Sequence, residues 1–272
     1  MTTIAPPQQT IPTTPPRVRQ ESPVHIPLSR IARVELRKSL DTRAGFWLLA
    51  SIGITSLLAT GAVIAFAPTN QFTYSTFTLA IGFPMSVILP MIAILSVTAE
   101  WSQRSGLTTF TLVPHRTRIL LGKAIAAVTI AVVSMLVAFP VGAVGNVIGS
   151  AIHGVPTVWD HGVVDVLCMV AGNTLLLMVG FMLGVLIRSS TAALVAYLIY
   201  AFVAPTLLTF LALNQKWFAD LQPWVDPNFS QDALFQGGFH GEQWAQLALT
   251  TLVWLVVPLA FGVRSLVRSE VK

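Results

Sequence analysis

Beyond residue 27 the chain alternates long apolar runs with short polar segments. Runs at about 45–67, 75–98, 119–149, 163–187, 191–213 and 244–263 each reach the roughly 20 residues that a helix needs to cross a bilayer core. The pattern predicts an all-α polytopic membrane protein with six transmembrane helices, and six crossings return the chain to its starting side. Only Arg188, Ser189 and Ser190 separate the fourth and fifth runs, and the arginine favours a hairpin there over one long buried run. The third run is longer than a bilayer requires, so it should tilt, protrude or break near Pro140, Gly142, Gly145 and Gly149. Pro84, Pro90, Pro205 and Pro258 fall inside other runs and read either as bending points of a transport path or as ordinary packed kinks.

Ahead of the first run, Leu28 to Arg43 carries Arg30, Arg33, Arg37 and Asp41 along one helical stripe and Leu28, Ile31, Ala32, Leu36 and Leu40 along the other. Such an amphipathic helix would lie on the inner membrane surface, although Glu35 interrupts its apolar sector. The plainer alternative is a basic juxtamembrane stretch. Residues 1–27, rich in proline among Thr and Gln, form the expected disordered cytoplasmic tail. The first apolar run starts too late, and after too many basic residues, for a cleavable signal peptide.

Composition agrees with this plan. Of 272 residues, 54% are hydrophobic and 10% charged, against about 25% charged in an ordinary soluble domain. A soluble globular protein is excluded, and the mean hydropathy of +0.74 points to a bilayer as the solvent. The net charge of +5 is not a nucleic-acid footprint, because the basic residues sit between apolar runs. With both termini on the cytoplasmic side, every one of the 16 Lys and Arg residues except Lys216 lies inside, while Asp160, Asp220, Asp226, Asp232 and Glu242 gather outside. The predicted location is the plasma (inner) membrane, multi-pass. The lone Cys168 allows no intrachain disulfide.

The inner loop from Glu100 to Lys123 is too polar for the membrane yet holds Leu107, Phe110, Leu112 and Val113. A short helix offering these to another cytoplasmic protein, stopped by Pro114, accounts for both features. A glutamate closing the second span, a Thr- and Leu-containing helix, a proline fourteen residues after that glutamate, arginines beyond it and a lysine opening the third span together resemble the pattern of type 2 ATP-binding-cassette (ABC) exporter permeases. Here those positions are Glu100, Thr108, Thr109, Phe110, Leu112, Pro114, Arg116, Arg118 and Lys123. The basic ending RSLVRSEVK is similar to that of small actinobacterial members. The chain departs from the pattern at Arg104 and Ser105, where many members carry Gly-Thr.

The resemblance implies that residues 28–272 form one six-span permease domain, half of a translocation path, paired with a second copy or a paralogue. A separate ATPase subunit would dock on the 100–118 loop, including Arg104, and would hold the ATP and Mg. No cofactor is expected on this chain, and no G-x-x-x-x-G-K-[ST] phosphate loop occurs in it. The outer loop from Asn214 to Gln243 interleaves Trp217, Trp224, Phe229 and, just beyond it, Trp244 with acids. The family has short re-entrant helices in this place, so the aromatics read either as an outer gate or as interfacial anchors.

Other features carry less. His153, Asp160, His161 and Asp165 match no compact metal spacing, and no catalytic constellation occurs in the spans, so no enzyme is expected. Gly180 with Gly184 and Gly145 with Gly149 are small-residue pairs suited to close helix contact within one subunit. The alternatives to an exporter subunit are a self-contained secondary transporter or channel, which would need ion-coupling charges in mid-membrane, and a membrane anchor without transport.

Overall fold

The structure, a computed structural model, describes residues 27–41, 43–102, 116–237 and 241–268. Its helices are α1 (Leu28–Asp41), α2 (Arg43–Phe66), α3 (Tyr74–Ser102), α4 (Arg116–His153), α5 (Val163–Ile187), α6 (Ser190–Asn214), α7 (Lys216–Val225), α8 (Pro227–Gln236) and α9 (Gly241–Arg268). Among the described residues the only β-type pairing is an isolated bridge between Thr73 and Val158. Six of these helices, α2 to α6 and α9, are long and apolar enough to cross a membrane. Alternation of the six makes a basic end, with α1, the start of α4, Arg188 and the end of α9, and an acidic end, with the 154–162 loop and α7–α8.

Packing centres on α3 and α5. Half of the apolar stretch of each is buried, against 6% of that of α6, which lies at the edge of the bundle. Ile81, Met85, Leu89, Ala93 and Val97 recur every four residues on α3 and form one buried stripe. That stripe meets Ala127, Ala131 and Met135 of α4 and Leu177, Phe181 and Val185 of α5. At Gly180 the contact is closest, since a Cβ there would stand 2.8 Å from the Pro90 carbonyl oxygen and 2.9 Å from its Cα. Gly184 faces Val97 and Ile94 in the same way. Gly145 lets α4 close on α2 and α3, where a Cβ would fall 2.2 Å from Thr60 Cγ2.

The prolines are accommodated in two different ways. Pro84 and Pro90 stay inside α3, and Pro140 inside α4, which runs for 38 residues without the break expected near that proline. Pro90 has no N–H to give to the Ser86 carbonyl four residues earlier, and in hydrocarbon that oxygen needs another donor. The hydroxyl of the fully buried Tyr197 on α6 donates to it. In α6 and α9 the backbone instead widens into single π turns, Ile199–Val203 and Leu252–Val256, each ending two residues before a proline, Pro205 or Pro258. A π turn relieves the clash between the proline ring and the preceding turn by inserting a residue.

Both ends are tied by polar contacts. At the basic end Arg188 terminates α5 in the left-handed region (φ 56°), its N–H bonded to the Gly184 carbonyl at 3.1 Å and its Nη2 donating to Ser265 Oγ of α9 at 2.9 Å. At the acidic end Asp160 accepts from the Ser75 N–H at 2.8 Å and from the Ser75 hydroxyl at 2.6 Å, which caps the start of α3. Partial burial raises the Asp160 pKa, but its hydrogen bonds outweigh this and the carboxyl lies below the usual range.

Tyr197→Phe should therefore leave the Ser86 carbonyl orphaned and cost about 1–3 kcal/mol of stability. The cost should shrink in a Pro90→Ala background, where residue 90 regains an N–H for that oxygen. Apparent melting temperatures of the four proteins in detergent check this, and equal costs in both backgrounds would contradict it.

Candidate functional site

At the basic end, α1 packs across the first turns of α4. Ile31 and Ala32 are buried there, and Gly122 makes room, since a Cβ on it would approach Ile31 Cγ2 to 2.6 Å. One residue on, Lys123 Nζ meets Glu35 Oε2 at 2.8 Å and donates to the Ser96 carbonyl of α3 at 3.1 Å. The two side chains are 2% and 12% exposed. Glu35, the residue that breaks the apolar sector of α1, is thus the counter-ion of a lysine that breaks the apolar pattern of α4. A cavity of about 210 Å³ lies beside the pair, between α1, α2, α3 and α4. The charged stripe of α1 faces outward, with an exposed Arg37–Asp41 pair at 3.6 Å that contributes little to stability.

Of the residues read from the sequence as docking an ATPase, Arg104, Thr108, Thr109, Phe110, Leu112 and Pro114 lie outside the described residues. Glu100 falls in the last turn of α3, Arg116 opens α4 and Arg118 is half-buried in its first turn. Lys123 is inside the protein, so it touches α1 and α3 rather than a docking surface.

At the acidic end, the chain from Lys216 to Gln236 is not a plain loop. Helices α7 and α8 meet at Asp226, which is buried and caps α8. Its Oδ1 accepts from the N–H groups of Asn228 at 3.0 Å and Phe229 at 3.3 Å, and its Oδ2 accepts from Gln222 Nε2 at 3.0 Å. Asp226-Pro227 is a cap followed by a first-turn proline, a local signal for this helix start. Gly172 of α5 accommodates the hairpin, since a Cβ there would stand 2.8 Å from the Phe235 ring. Gly172 is nine residues into α5, about 13 Å along its axis, so α8 reaches down beside the spans.

The hairpin is hooked to both π turns. Asn228 Nδ2 donates to the Tyr200 carbonyl in the π turn of α6 at 3.3 Å, and Trp254 Nε1 in the π turn of α9 donates to the Val225 carbonyl at 2.9 Å. Ser230 and Thr250 add a hydroxyl pair at 2.6 Å. Beneath the hairpin is a cavity of about 440 Å³, bounded by α3, α5, α6, α7 and α8. Such a volume is in the range of small-molecule sites. Of the proposed gate aromatics, Phe229 is on its wall and half exposed, Trp224 is half-buried, and Trp217 and Trp244 are exposed away from it.

The four polar residues near the acidic end that could suggest a metal turn to separate partners. His153 Nε2 contacts the Ile64 carbonyl at 2.9 Å, His161 Nδ1 contacts Thr78 Oγ1 at 3.0 Å, Asp160 holds Ser75, and Asp165 accepts from the Gly162 N–H at 2.9 Å. Among the described residues no group of three His, Cys, Asp or Glu could hold a metal ion. No family model matches the chain, and no curated protein does.

Removing one partner of the Glu35–Lys123 pair strands a buried charge. Lys123→Met or Glu35→Met alone should cost about 3–5 kcal/mol, whereas the double change to Met at both positions should recover most of it. Thermal unfolding in detergent reads this out, and additive single effects would contradict the pairing.

Proposed function

We propose that this chain is the membrane-spanning subunit of an ABC exporter of type 2, supplying half of a translocation path and driven by a separate ATPase. In this reading the basic end is cytoplasmic, both termini are inside, and the protein sits in the plasma (inner) membrane. ATP and Mg belong to the ATPase subunit. The chain binds it through the 100–118 segment and pairs with a second copy or a paralogue, for which the sparsely buried α6 leaves an apolar face.

The observation that carries the reading is the bond of α1 to α4 immediately beyond that segment. A surface helix fastened to the base of a span by a buried ion pair and a glycine contact is suited to pass a push at the basic end into the bundle. Closure of the ATPases on nucleotide would shift the ends of α3 and α4. Lys123, held by both Glu35 and the Ser96 carbonyl, makes α1 and α3 follow α4. Opening and closing at the acidic end would then pass through α6 and α9, whose π turns hold the α7–α8 hairpin. This is alternating access by helix movement against fixed contacts.

Affinity capture of the tagged chain, expressed with its chromosomal neighbours and solubilised in detergent, should retain an ATPase. Charge reversal at Arg116 and Arg118 combined with Pro114→Ala should reduce that capture by about tenfold, the scale expected when steering and docking charges are inverted. Vesicles of the chain alone that transport under an ion gradient, with no ATPase and no ATP, would contradict the reading and favour a secondary transporter.

A further inference from the structure

We propose that the corner where the end of α9 meets the turn between α5 and α6 binds an anionic phospholipid, its phosphate held by Arg188, Arg264 and Arg268. Gly262 lets α9 close on the end of α5, where a Cβ would stand 3.1 Å from Val185 Cγ1 and from Leu186 Cδ2. One turn further on, Arg188 Nη2 donates to Ser265 Oγ at 2.9 Å, which fixes the guanidinium beside α9. Arg264 immediately precedes that serine, Arg268 follows one turn later, and both are exposed.

These arginines gather at one corner with no anion to offset them. Among the described residues none of the three is ion-paired, and the partner of Arg188 is a neutral hydroxyl. Glu35 and Asp41, which lie at the same end of the bundle, are committed on α1 to Lys123 and Arg37. A phosphate accepts two parallel N–H bonds from a guanidinium fork, and a basic pocket between spans at the membrane boundary suits an acidic lipid headgroup.

The same face of α9 identifies the anion as part of a lipid. Val257, Phe261, Arg264 and Arg268 follow one another at intervals of four, three and four residues, so they lie on one stripe of the helix. Val257 is 57% and Phe261 72% exposed, whereas Gly262 and Leu266 on the other side are buried against the bundle. Ile187, just before Arg188, adds another exposed apolar side chain. Over about 16 Å the stripe passes from apolar to basic, the order in which a phospholipid presents its chain and its phosphate. An acidic protein surface or a free phosphate would use the arginines alone. The inference requires only that the six helices span a bilayer, and it does not rest on the exporter reading.

The test is native mass spectrometry of the full-length chain in an uncharged detergent, titrated with dioctanoyl phosphatidylglycerol or with dioctanoyl phosphatidylcholine, which has the same chains and no net charge. Wild-type protein should bind the first phosphatidylglycerol about tenfold more tightly, the scale of a few arginines acting on one membrane anion. Arg188→Asn with Arg264→Gln and Arg268→Gln should bring the two lipids to within about twofold; asparagine is used at 188 because it tolerates the left-handed backbone there. Arg264→Gln with Arg268→Gln alone changes only exposed positions, so it should lower the preference while the melting temperature holds. Arg30→Gln with Arg33→Gln, which removes exposed charge from α1, should leave the preference intact. Equal binding of the two lipids to wild type overturns the proposal, and so does a preference that survives in the triple variant or falls as far in the α1 variant. Displacement of the bound lipid by millimolar inorganic phosphate would make the ligand a free anion. Loss of ATPase capture in the triple variant with no lipid preference in wild type would make it a protein surface, and either result overturns the lipid site.

Discussion

A lysine ammonium enters an apolar interior only with an anion and a hydrogen-bond acceptor already in place, and at Lys123 both are supplied by other helices. Glu35 comes from α1 and the Ser96 carbonyl from α3, so one buried nitrogen joins three elements at the basic end. The adjacent Gly122 brings α1 close enough for the pair to form. Without this contact α1 would be an ordinary amphipathic helix, free to leave the bundle for the membrane surface. With it, α1 belongs to the same unit as the end of α3 and the start of α4.

The other constraint is that no backbone oxygen in the bilayer can turn to water. Two devices meet it here, and they have different consequences. At Pro90 a neighbour's hydroxyl substitutes for the lost N–H, which ties α6 to α3 through Tyr197 and Ser86. At Pro205 and Pro258 the helix itself widens, and the resulting π turns present a carbonyl and an indole to the α7–α8 hairpin. The first device makes a fixed joint. The second places π turns in the two spans that hold the α7–α8 hairpin.

Run length and apolar composition alone locate the spans, because a helix that crosses hydrocarbon has no choice but to carry about 20 apolar residues. The third span, read as 119–149, extends to His153, and the sixth, read from 244, begins at Gly241, since polar turns continue a helix past the apolar core without changing its hydropathy signal. Glu35 was visible as a misfit in an apolar sector and Lys123 only as the lysine opening the third span, and nothing in one sequence states that two residues 88 positions apart meet. The residue pattern between α6 and α9 did not reveal α7 and α8, which only the family resemblance suggested, because ten-residue helices with mixed faces leave no sustained period. Asp226-Pro227 was the available cue, and it was submerged among other acids and aromatics.

On the proposed exporter reading, α1 and α4 move as one body when an ATPase partner acts. With the only native cysteine, Cys168, replaced, spin labels at the exposed positions Val34 on α1, Leu121 on α4 and Val195 on α6 report the relevant separations by pulsed electron paramagnetic resonance. In the complex with the captured ATPase, adding ATP should leave the 34–121 distance unchanged and alter the 121–195 distance. A 34–121 distance that changes while 121–195 stays fixed would contradict it.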